Sequence, residues 1–340
     1  MKNLCATLAL VSLLFANTAQ AGHLYPGKPP LHLQDDVVKD GRADIIFQGG
    51  TALAYWTLGG SAREPVITSA YAGDAGPGYK LVAVSDFDGD GSADVLWTNG
   101  SHLKLWVNNG SGGYTPVSVG TYGGGWVPFA ARDINGDGKS DLFFRGSTHL
   151  AYWLMDGSKV IASSYAGDGG AGWRVVGIDR FSLYSPTLTP GVDVLWTNGS
   201  RFKIWYGDAA TQAFYPSAPS YIGSYGGGWE PFGAGDVNAD GTADILFRSG
   251  THIAYWLNRV SSSHGLFPFI QQFYGGDGGP GFRPIAVSDY DGNGTADILF
   301  DNGSQLKLWD FDVGRTEFNP RLVGTYGNGW KPLELLIPTN

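Results

Sequence analysis

Four loops rich in carboxylates share the pattern Asp-x-Asp/Asn-x-Asp/Asn-Gly-x-x-Asp. Their oxygen-bearing positions, in chain order, are Asp86, Asp88, Asp90 and Asp94; Asp133, Asn135, Asp137 and Asp141; Asp236, Asn238, Asp240 and Asp244; and Asp289, Asp291, Asn293 and Asp297. The alternation directs three oxygen side chains at one centre, and the last aspartate closes the shell. Hard oxygen ligands without His or Cys suit calcium. One such loop could be a metal-free turn, but four matched loops predict about four Ca²⁺ ions.

Two further loops keep only part of this pattern. The first retains three carboxylates, at Asp36, Asp40 and Asp44. Its middle ligand is replaced by Val38, and Lys39 adds a positive charge. In the other loop, residues 180–192 are an insertion that separates Asp179 from Asp193. We therefore predict no metal in either loop.

The last aspartate of each loop is followed, 12 residues later, by a tryptophan. The six pairs are Asp44 and Trp56, Asp94 and Trp106, Asp141 and Trp153, Asp193 and Trp205, Asp244 and Trp256, and Asp297 and Trp309. Successive pairs lie 47 to 53 residues apart. A fixed period of this size is typical of a propeller or a solenoid.

One repeat contains four apolar or alternating segments, at residues 81–84, 93–97, 103–106 and 116–122. The dipeptide Asn99-Gly100 between the second and third favours a tight hairpin. No segment has a sustained period of 3.6 residues, so almost no helix is expected. Four antiparallel strands in about 50 residues predict a propeller blade, and the protein is expected to be all-β.

The connectors between repeats alternate in length. The long ones follow a Tyr-x-Gly-Asp-x-Gly-x-Gly-aromatic pattern, which gives Tyr71, Asp74 and Tyr79; Tyr165, Asp168 and Trp173; and Tyr274, Asp277 and Phe282. The short ones follow Tyr-Gly-x-Gly-Trp, at 122–126, 225–229 and 326–330. Three copies of a two-blade unit predict a six-bladed β-propeller of four-stranded antiparallel blades with pseudo-three-fold symmetry.

The C-terminus contains a first strand with no blade after it, at residues 333–337. We expect this strand to pair with the N-terminal blade and close the ring, because closure removes exposed sheet edges. The alternative is a seven-bladed ring in which residues 22–34 and 331–340 form an irregular extra unit.

The N-terminus has the layout of a secretory signal peptide, predicted at residues 1–21, with a charged start, a short apolar run and an Ala-x-Ala site. Residues 22–340 are then one β-propeller domain, and a secreted or periplasmic location follows. Cys5 is the only cysteine. The net charge is −9 without a basic cluster, which argues against nucleic acid. No later apolar run is long enough for a membrane span.

These loops, each followed by Ala/Ser/Val-Asp, a short apolar strand and a strand containing the tryptophan, resemble the FG-GAP/VCBS repeat family. The resemblance covers nearly all of residues 22–340, and its matching segments include 86–97, 133–144, 236–247 and 289–300. It implies a calcium-stabilised β-propeller, similar to integrin α-chain heads and to some glycan-binding lectins. It does not imply one activity, because such propellers serve adhesion, sugar binding and attachment to enzymes.

The nine residues of the long connectors are the candidate ligand-binding residues. Aromatic faces stack on sugar rings, and carboxylates accept hydrogen bonds from sugar hydroxyls. We therefore predict a non-catalytic protein that binds a glycan or a cell-surface glycoconjugate. The simpler alternative is that the aspartates shape turns and the aromatics pack between blades.

Two other functions stay open on the sequence. A polysaccharide lyase or hydrolase would need unique catalytic groups, yet the chain has only four glutamates, and three of its six histidines occupy equivalent repeat positions. A protein-binding propeller would use loops of one face and would have a similar sequence.

Overall fold

The computed structural model describes residues 35–61, 64–182, 191–216, 222–259, 269–313, 315, 317–327 and 329–334. The predicted signal peptide lies outside these residues. Within them the protein is all-β, and no helix is long and apolar enough to cross a membrane. The strands form six separate sheets, which are the six blades of a β-propeller.

Blades 1 to 3 each contain four antiparallel strands. From the inner to the outer strand, they are β25 (Lys331–Pro332), β1 (Ile45–Gly49), β2 (Ala52–Ser61) and β3 (Glu64–Asp74) in blade 1; β4 (Lys80–Ser85), β5 (Asp94–Thr98), β6 (His102–Asn108) and β7 (Tyr114–Thr121) in blade 2; and β8 (Val127–Arg132), β9 (Asp141–Gly146), β10 (His149–Asp156) and β11 (Lys159–Asp168) in blade 3.

Blades 4 to 6 follow the same order. They are β12 (Arg174–Asp179), β13 (Asp193–Thr197), β14 (Arg201–Asp208), β15 (Ala213–Pro216) and β16 (Gly223–Ser224) in blade 4; β17 (Glu230–Gly235), β18 (Asp244–Ser249), β19 (His252–Arg259) and β20 (Phe269–Asp277) in blade 5; and β21 (Arg283–Ser288), β22 (Asp297–Asp301), β23 (Gln305–Asp312) and β24 (Glu317–Thr325) in blade 6. In blade 4 the outer position is shared by β15 and β16, which both pair with β14.

The C-terminal segment closes the ring, as predicted. Strand β25 pairs with β1 through Phe47 opposite Pro332 and Gln48 opposite Lys331. The Leu333 amide also donates to the Ile46 carbonyl over 2.7 Å. The paired strand begins at Lys331, two residues before the strand predicted at 333–337. Residues 335–337 of that prediction lie outside the described part. The described residues form six sheets, so the seven-bladed alternative was wrong.

The two sides of the ring carry different connections. Because the strands are antiparallel, the loops between the first and second strands and the turns between the third and fourth leave on one side, which we call the loop face. The turns between the second and third strands, and the connectors between blades, leave on the other side, the connector face. The six acidic loops therefore lie on the face opposite the long connectors.

The core lies between neighbouring blades rather than within one blade. Six buried clusters fill the six interfaces, and each draws residues from two adjacent blades. At four interfaces a repeat tryptophan packs on an outer-strand glycine of the preceding blade. A methyl group added at Gly73, for example, would lie 3.1 Å from the Trp106 ring. Stacked blades share one core, which is why the tryptophan recurs at a fixed step.

Candidate functional site

The last aspartate of each acidic loop is fully buried in all six blades. In blade 2, Asp94 accepts hydrogen bonds from the Phe87 amide at 2.9 Å and the Asn108 amide at 2.7 Å. In blade 4, Asp193 accepts them from Phe181 and Gly207, both at 2.9 Å. The carboxylate thus ties the loop to the third strand. Blade 4 retains this tie although its loop has lost the metal pattern.

Burial raises the pKa of each of these carboxyl groups, and neighbouring carboxylates raise it further in most of them. The pKa rises to about 8 for Asp44 and to about 7 for Asp94, Asp141 and Asp193, and it lies well above its ordinary value for Asp244 and Asp297. Hydrogen bonds from backbone amides oppose the shift without cancelling it. A bound cation would counter the same desolvation and repulsion.

Two of the four predicted metal loops bring three carboxylates together. In the second blade, oxygens of Asp86, Asp88 and Asp94 lie within 4.8 Å of one another. In the sixth blade the same holds for Asp289, Asp291 and Asp297. Asp90 lies outside the first group, and its Oδ1 accepts the Ser92 amide at 2.7 Å. Asn293 accepts the Thr295 amide at 2.7 Å.

The other two loops, in blades 3 and 5, have an asparagine, Asn135 or Asn238, where the loops of blades 2 and 6 have Asp88 and Asp291. The Asn135 amide donates to Asp137 over 3.0 Å, and the Asn238 amide donates to Asp240 over the same distance. Each asparagine therefore satisfies part of its neighbour's hydrogen-bonding demand. These loops keep the predicted oxygen donors, but no group of three carboxylates within 4.8 Å is found there among the described residues.

The donor chemistry of the second and sixth loops fits calcium. All their side-chain donors are oxygens, and three negative carboxylates at such short range repel one another unless a cation lies between them. Calcium would be held by Asp86, Asp88 and Asp94 in blade 2, and by the equivalent Asp289, Asp291 and Asp297 in blade 6. When bound, the ion supplies positive charge and shared ligation to the loop.

The acidic loops also join neighbouring blades. The Asp36 and Asp86 carbonyls accept the amides of Ala93 and Ser140, both at 2.7 Å, from the blade that follows. The same bond recurs from Ala243 to Arg180, from Ala296 to Asp236 and from Ala43 to Asp289. The conformation of each of these loops therefore bears directly on blade stacking.

The first loop keeps the fold of a metal loop, although Val38 replaces its middle ligand. Asp36 accepts the amides of Asp40 and Gly41, and Gly91 donates to Asp86 in the same way in blade 2. Lys39 has a φ of 58°, in the left-handed region. Its ammonium donates to the Asp90 carbonyl of the next blade. The positive charge thus reaches the second loop rather than its own.

On the connector face, the three connector aspartates shape turns. Asp74, Asp168 and Asp277 each accept the amide two residues ahead, at 2.8, 2.8 and 2.9 Å. Hydrogen bonds from threonine side chains, in the first place, and from these amides lower their pKa. The three carboxylates are exposed, but each already accepts a hydrogen bond within its own turn. This matches the simpler alternative weighed from the sequence.

The second aromatic of each long connector packs beneath a lysine of the next blade. The distances from the ammonium to the ring centre are 3.7 Å for Lys104 over Tyr79, 4.3 Å for Lys203 over Trp173 and 3.9 Å for Lys307 over Phe282. The Lys307 ammonium also donates to the Gly278 carbonyl at 2.7 Å. These half-buried rings hold neighbouring blades together.

The first tyrosine of each long connector is instead exposed: Tyr71 by 63%, Tyr165 by 56% and Tyr274 by 60%. Tyr165 borders a pocket of about 320 Å³ between blades 2 and 3. The residues that line the pocket include five aromatics, Tyr122, Trp126, Phe144, Trp153 and Tyr165, and two serines, Ser163 and Ser164. Tyr71 faces Trp330 in the same way, with ring centres 6.4 Å apart.

Sequence reasoning assigned the candidate site to the long connectors alone and missed the short ones. The pocket combines Tyr165, at the start of a long connector, with Tyr122 and Trp126 of the short connector before it. The repeated Tyr-Gly-x-Gly-Trp pattern of the short connectors indicates these residues in the sequence. It does not indicate that they lie beside the exposed tyrosines of the long connectors. At the related tyrosine of blade 5, Tyr274, the hydroxyl lies 2.7 Å from the His252 Nδ1 atom.

Comparison with known proteins identifies the repeat. Residues 86–144 and 236–300 match the profile of the FG-GAP-like repeat. No curated protein matches the chain significantly in sequence.

Among solved structures, an Agrocybe aegerita lectin that recognises non-reducing terminal N-acetylglucosamine is similar, with a TM-score of 0.55 and 17% identity over 84% of this chain and 77% of the lectin. The Photorhabdus luminescens Tc holotoxin pore is also similar, with a TM-score of 0.53 and 14% identity over 83% of this chain but 13% of the toxin chain. These likenesses concern the fold. With the matched segments they lead to one conclusion: this protein is a six-bladed β-propeller that contains FG-GAP-like repeats at residues 86–144 and 236–300.

Proposed function

We propose that this protein is an exported, calcium-binding propeller that binds carbohydrate without catalysing a reaction. The observation that carries the proposal is the aromatic pocket between blades 2 and 3. The similar fold of a lectin that recognises N-acetylglucosamine supports the same class of ligand. Export rests on the signal-like residues 1–21.

The pocket has the chemistry that a sugar ring requires. Tyr165 is exposed on its border, while Trp126 and Trp153 present half-buried rings. A sugar's C–H face packs on such rings, and its hydroxyls exchange hydrogen bonds with polar groups such as Ser163, which lies opposite Trp153. The pocket volume of about 320 Å³ is at the lower end of small-ligand sites, which fits one sugar residue.

Three copies of this arrangement would make the ring multivalent. The equivalents of Tyr122, Trp126 and Tyr165 are Tyr225, Trp229 and Tyr274, and Tyr326, Trp330 and Tyr71. Weak binding at each copy would then produce strong attachment to a surface that carries many glycans, because linked sites raise the effective concentration.

Calcium has a supporting role in this proposal. The acidic loops lie on the loop face, whereas the pocket lies on the connector face, so the ion would not contact the sugar. It would stabilise the loops that hydrogen-bond to the next blade. The expected number of ions remains about four, with the loops of blades 2 and 6 as the best candidates.

Glycan-array binding followed by calorimetry on the best glycan tests the proposal. We expect Trp126→Ala and Tyr165→Ala to weaken binding by about tenfold or more, since each removes a stacking surface. The matched control is Tyr215→Ala, which removes a tyrosine that is 43% exposed on blade 4 and outside this pocket.

Absence of any bound glycan, or equal binding by all three variants, would overturn the proposal. Depolymerisation of a polysaccharide by the purified protein would favour the lyase or hydrolase alternative. Capture of a specific surface protein without glycan binding would favour a protein-binding propeller.

A further inference from the structure

The connector face carries a ring of basic side chains around the propeller axis, one from each blade. In the order of the blades they are Lys331, Lys80, Arg145, Arg174, Arg248 and Arg283. We infer that this face selects acidic glycans, meaning sugar chains that carry carboxylate or sulfate groups. This inference rests on the proposed carbohydrate binding and specifies its ligand class.

Strand topology places all six residues at the same level of the ring. Lys80, Arg174, Arg283 and Lys331 are the first residues of their inner strands, directly after a connector. Blades 3 and 5 have Val127 and Glu230 at this position. There the cation is on the neighbouring second strand, where Arg145 lies opposite Val127 and Arg248 opposite Glu230. Each blade thus has a cation on one of its two inner strands, at the end that lies on the connector face.

Much of this charge is available to a ligand. Within the part of the chain that the structure describes, Lys80, Arg174 and Lys331 form no ion pair. Arg248 is paired with Glu230 at 3.7 Å and Arg283 with Glu334 at 2.6 Å, and both pairs are substantially exposed. Arg283 also lies 3.8 Å from the buried Asp301, so it is the least available of the six cations. Solvent screens exposed pairs of this kind, so an acidic ligand competes with them readily.

The basic ring adjoins the aromatic pockets. The Trp126 ring packs on Gly146, where an added methyl group would lie 3.1 Å away, and Gly146 follows Arg145 directly. At the equivalent site the Trp330 ring packs on Gly49 at the same distance, and Lys331 follows Trp330. A sugar stacked on either tryptophan therefore has a cation beside it. In the third copy, Trp229 precedes Glu230, the partner of Arg248.

The overall charge of the protein makes this arrangement selective. The chain carries a net charge of −9, and the carboxylates of its acidic loops are on the opposite face. The connector face also carries Asp74, Asp168 and Asp277, which accept turn hydrogen bonds at its outer strands. An acidic polymer is therefore steered toward the connector face and away from the loop face. A neutral glycan would gain nothing from the basic ring, whereas carboxylate or sulfate groups would gain charge-assisted contacts at several blades.

The test is an array of sialylated, uronate-bearing and sulfated glycans printed beside their neutral counterparts. We expect the acidic members to be retained, with affinity at least about tenfold above the neutral ones. Affinity should also fall as salt rises from roughly 50 to 300 mM, because salt screens the attraction. The double variant Lys80→Glu/Lys331→Glu should lose about tenfold or more in affinity for acidic glycans.

The matched control is Lys159→Glu, which reverses an exposed cation on the outer strand of blade 3, at its loop-face end. Thermal melting of all variants verifies folding. Equal binding of neutral and acidic glycans, or unchanged affinity in the double variant, would overturn the inference and leave the proposed function standing. Absence of any glycan binding would overturn both.

Discussion

The two faces of the propeller repeat with different periods. On the loop face, a fully buried aspartate recurs in all six blades, including blade 4, whose loop lacks the metal pattern. On the connector face, the exposed tyrosines and the aromatic connectors recur in every second blade. The buried aspartate of the loop face is therefore a structural feature of every blade. The exposed tyrosines of the connector face are available to a ligand only at alternate blades.

This difference separates stability from binding. A buried carboxylate that accepts two backbone amides cannot be changed without leaving those amides unsatisfied. An exposed tyrosine can be changed with little effect on folding. We therefore expect changes on the loop face to alter stability, and changes on the connector face to alter binding.

Calcium removal should have the largest effect and should act through the loop face. At calcium levels about 100 times the dissociation constant, each filled site stabilises the fold by about 2.7 kcal/mol, so EDTA should lower the melting temperature clearly. Well below the melting temperature, glycan binding on the connector face should persist.

Differential scanning calorimetry with and without EDTA measures this effect. Asp88→Asn in blade 2 should reduce the calcium-dependent shift, while Asp40→Asn in the first loop, where we predict no metal, serves as the matched control. A melt unchanged by EDTA would contradict calcium binding. Loss of glycan binding in EDTA while the protein is still folded would contradict the separation of the faces.

Asp193→Ala should have the next largest effect, because blade 4 tests the buried aspartate without a metal loop. The change leaves the buried amides of Phe181 and Gly207 without their acceptor, at about 1–3 kcal/mol each. Urea denaturation measures the loss. The control on the other face is Asp168→Ala, at an exposed aspartate, where we expect a smaller loss of stability. Similar losses of unfolding free energy in both variants would contradict a specific role of the loop face in stability.

A third prediction concerns the pH dependence of stability. Burial raises the pKa of Asp193 to about 7, whereas an unfolded aspartate titrates near 3.9. Between about pH 4 and 7 the folded state therefore holds a proton that the unfolded state releases. Its stabilising contribution is complete below pH 4 and is lost as pH rises through 7, by up to about 1.4 kcal/mol per pH unit.

In EDTA, Asp193→Asn should reduce the slope of the unfolding free energy against pH by up to about 1.4 kcal/mol per pH unit. Asp168→Asn should not flatten it, because turn hydrogen bonds lower the pKa of that carboxyl group. Chemical denaturation at several pH values between 4 and 8 distinguishes the two. Parallel curves for the wild type and Asp193→Asn would show that Asp193 is ionised throughout.

Several elements could be predicted closely from the sequence. The segments expected at 81–84, 93–97, 103–106 and 116–122 match β4 to β7 to within a few residues. Local patterns suffice for these strands, because alternation and tight-turn residues act over a few positions. The closing strand was displaced, since its register depends on pairing with β1, which is distant in the chain.

The sequence by itself determined the blade count, the order of the strands and the positions of the acidic loops, because all three follow from a repeat whose period is read along the chain. Only the tertiary structure decided which aromatics meet. Tyr165 and Trp126 belong to different connectors, and they line one pocket because the paired strands of blade 3 bring the two connectors together. It also placed the basic residues of six blades around one axis. Contacts across blade interfaces depend on ring geometry, which no local spacing specifies.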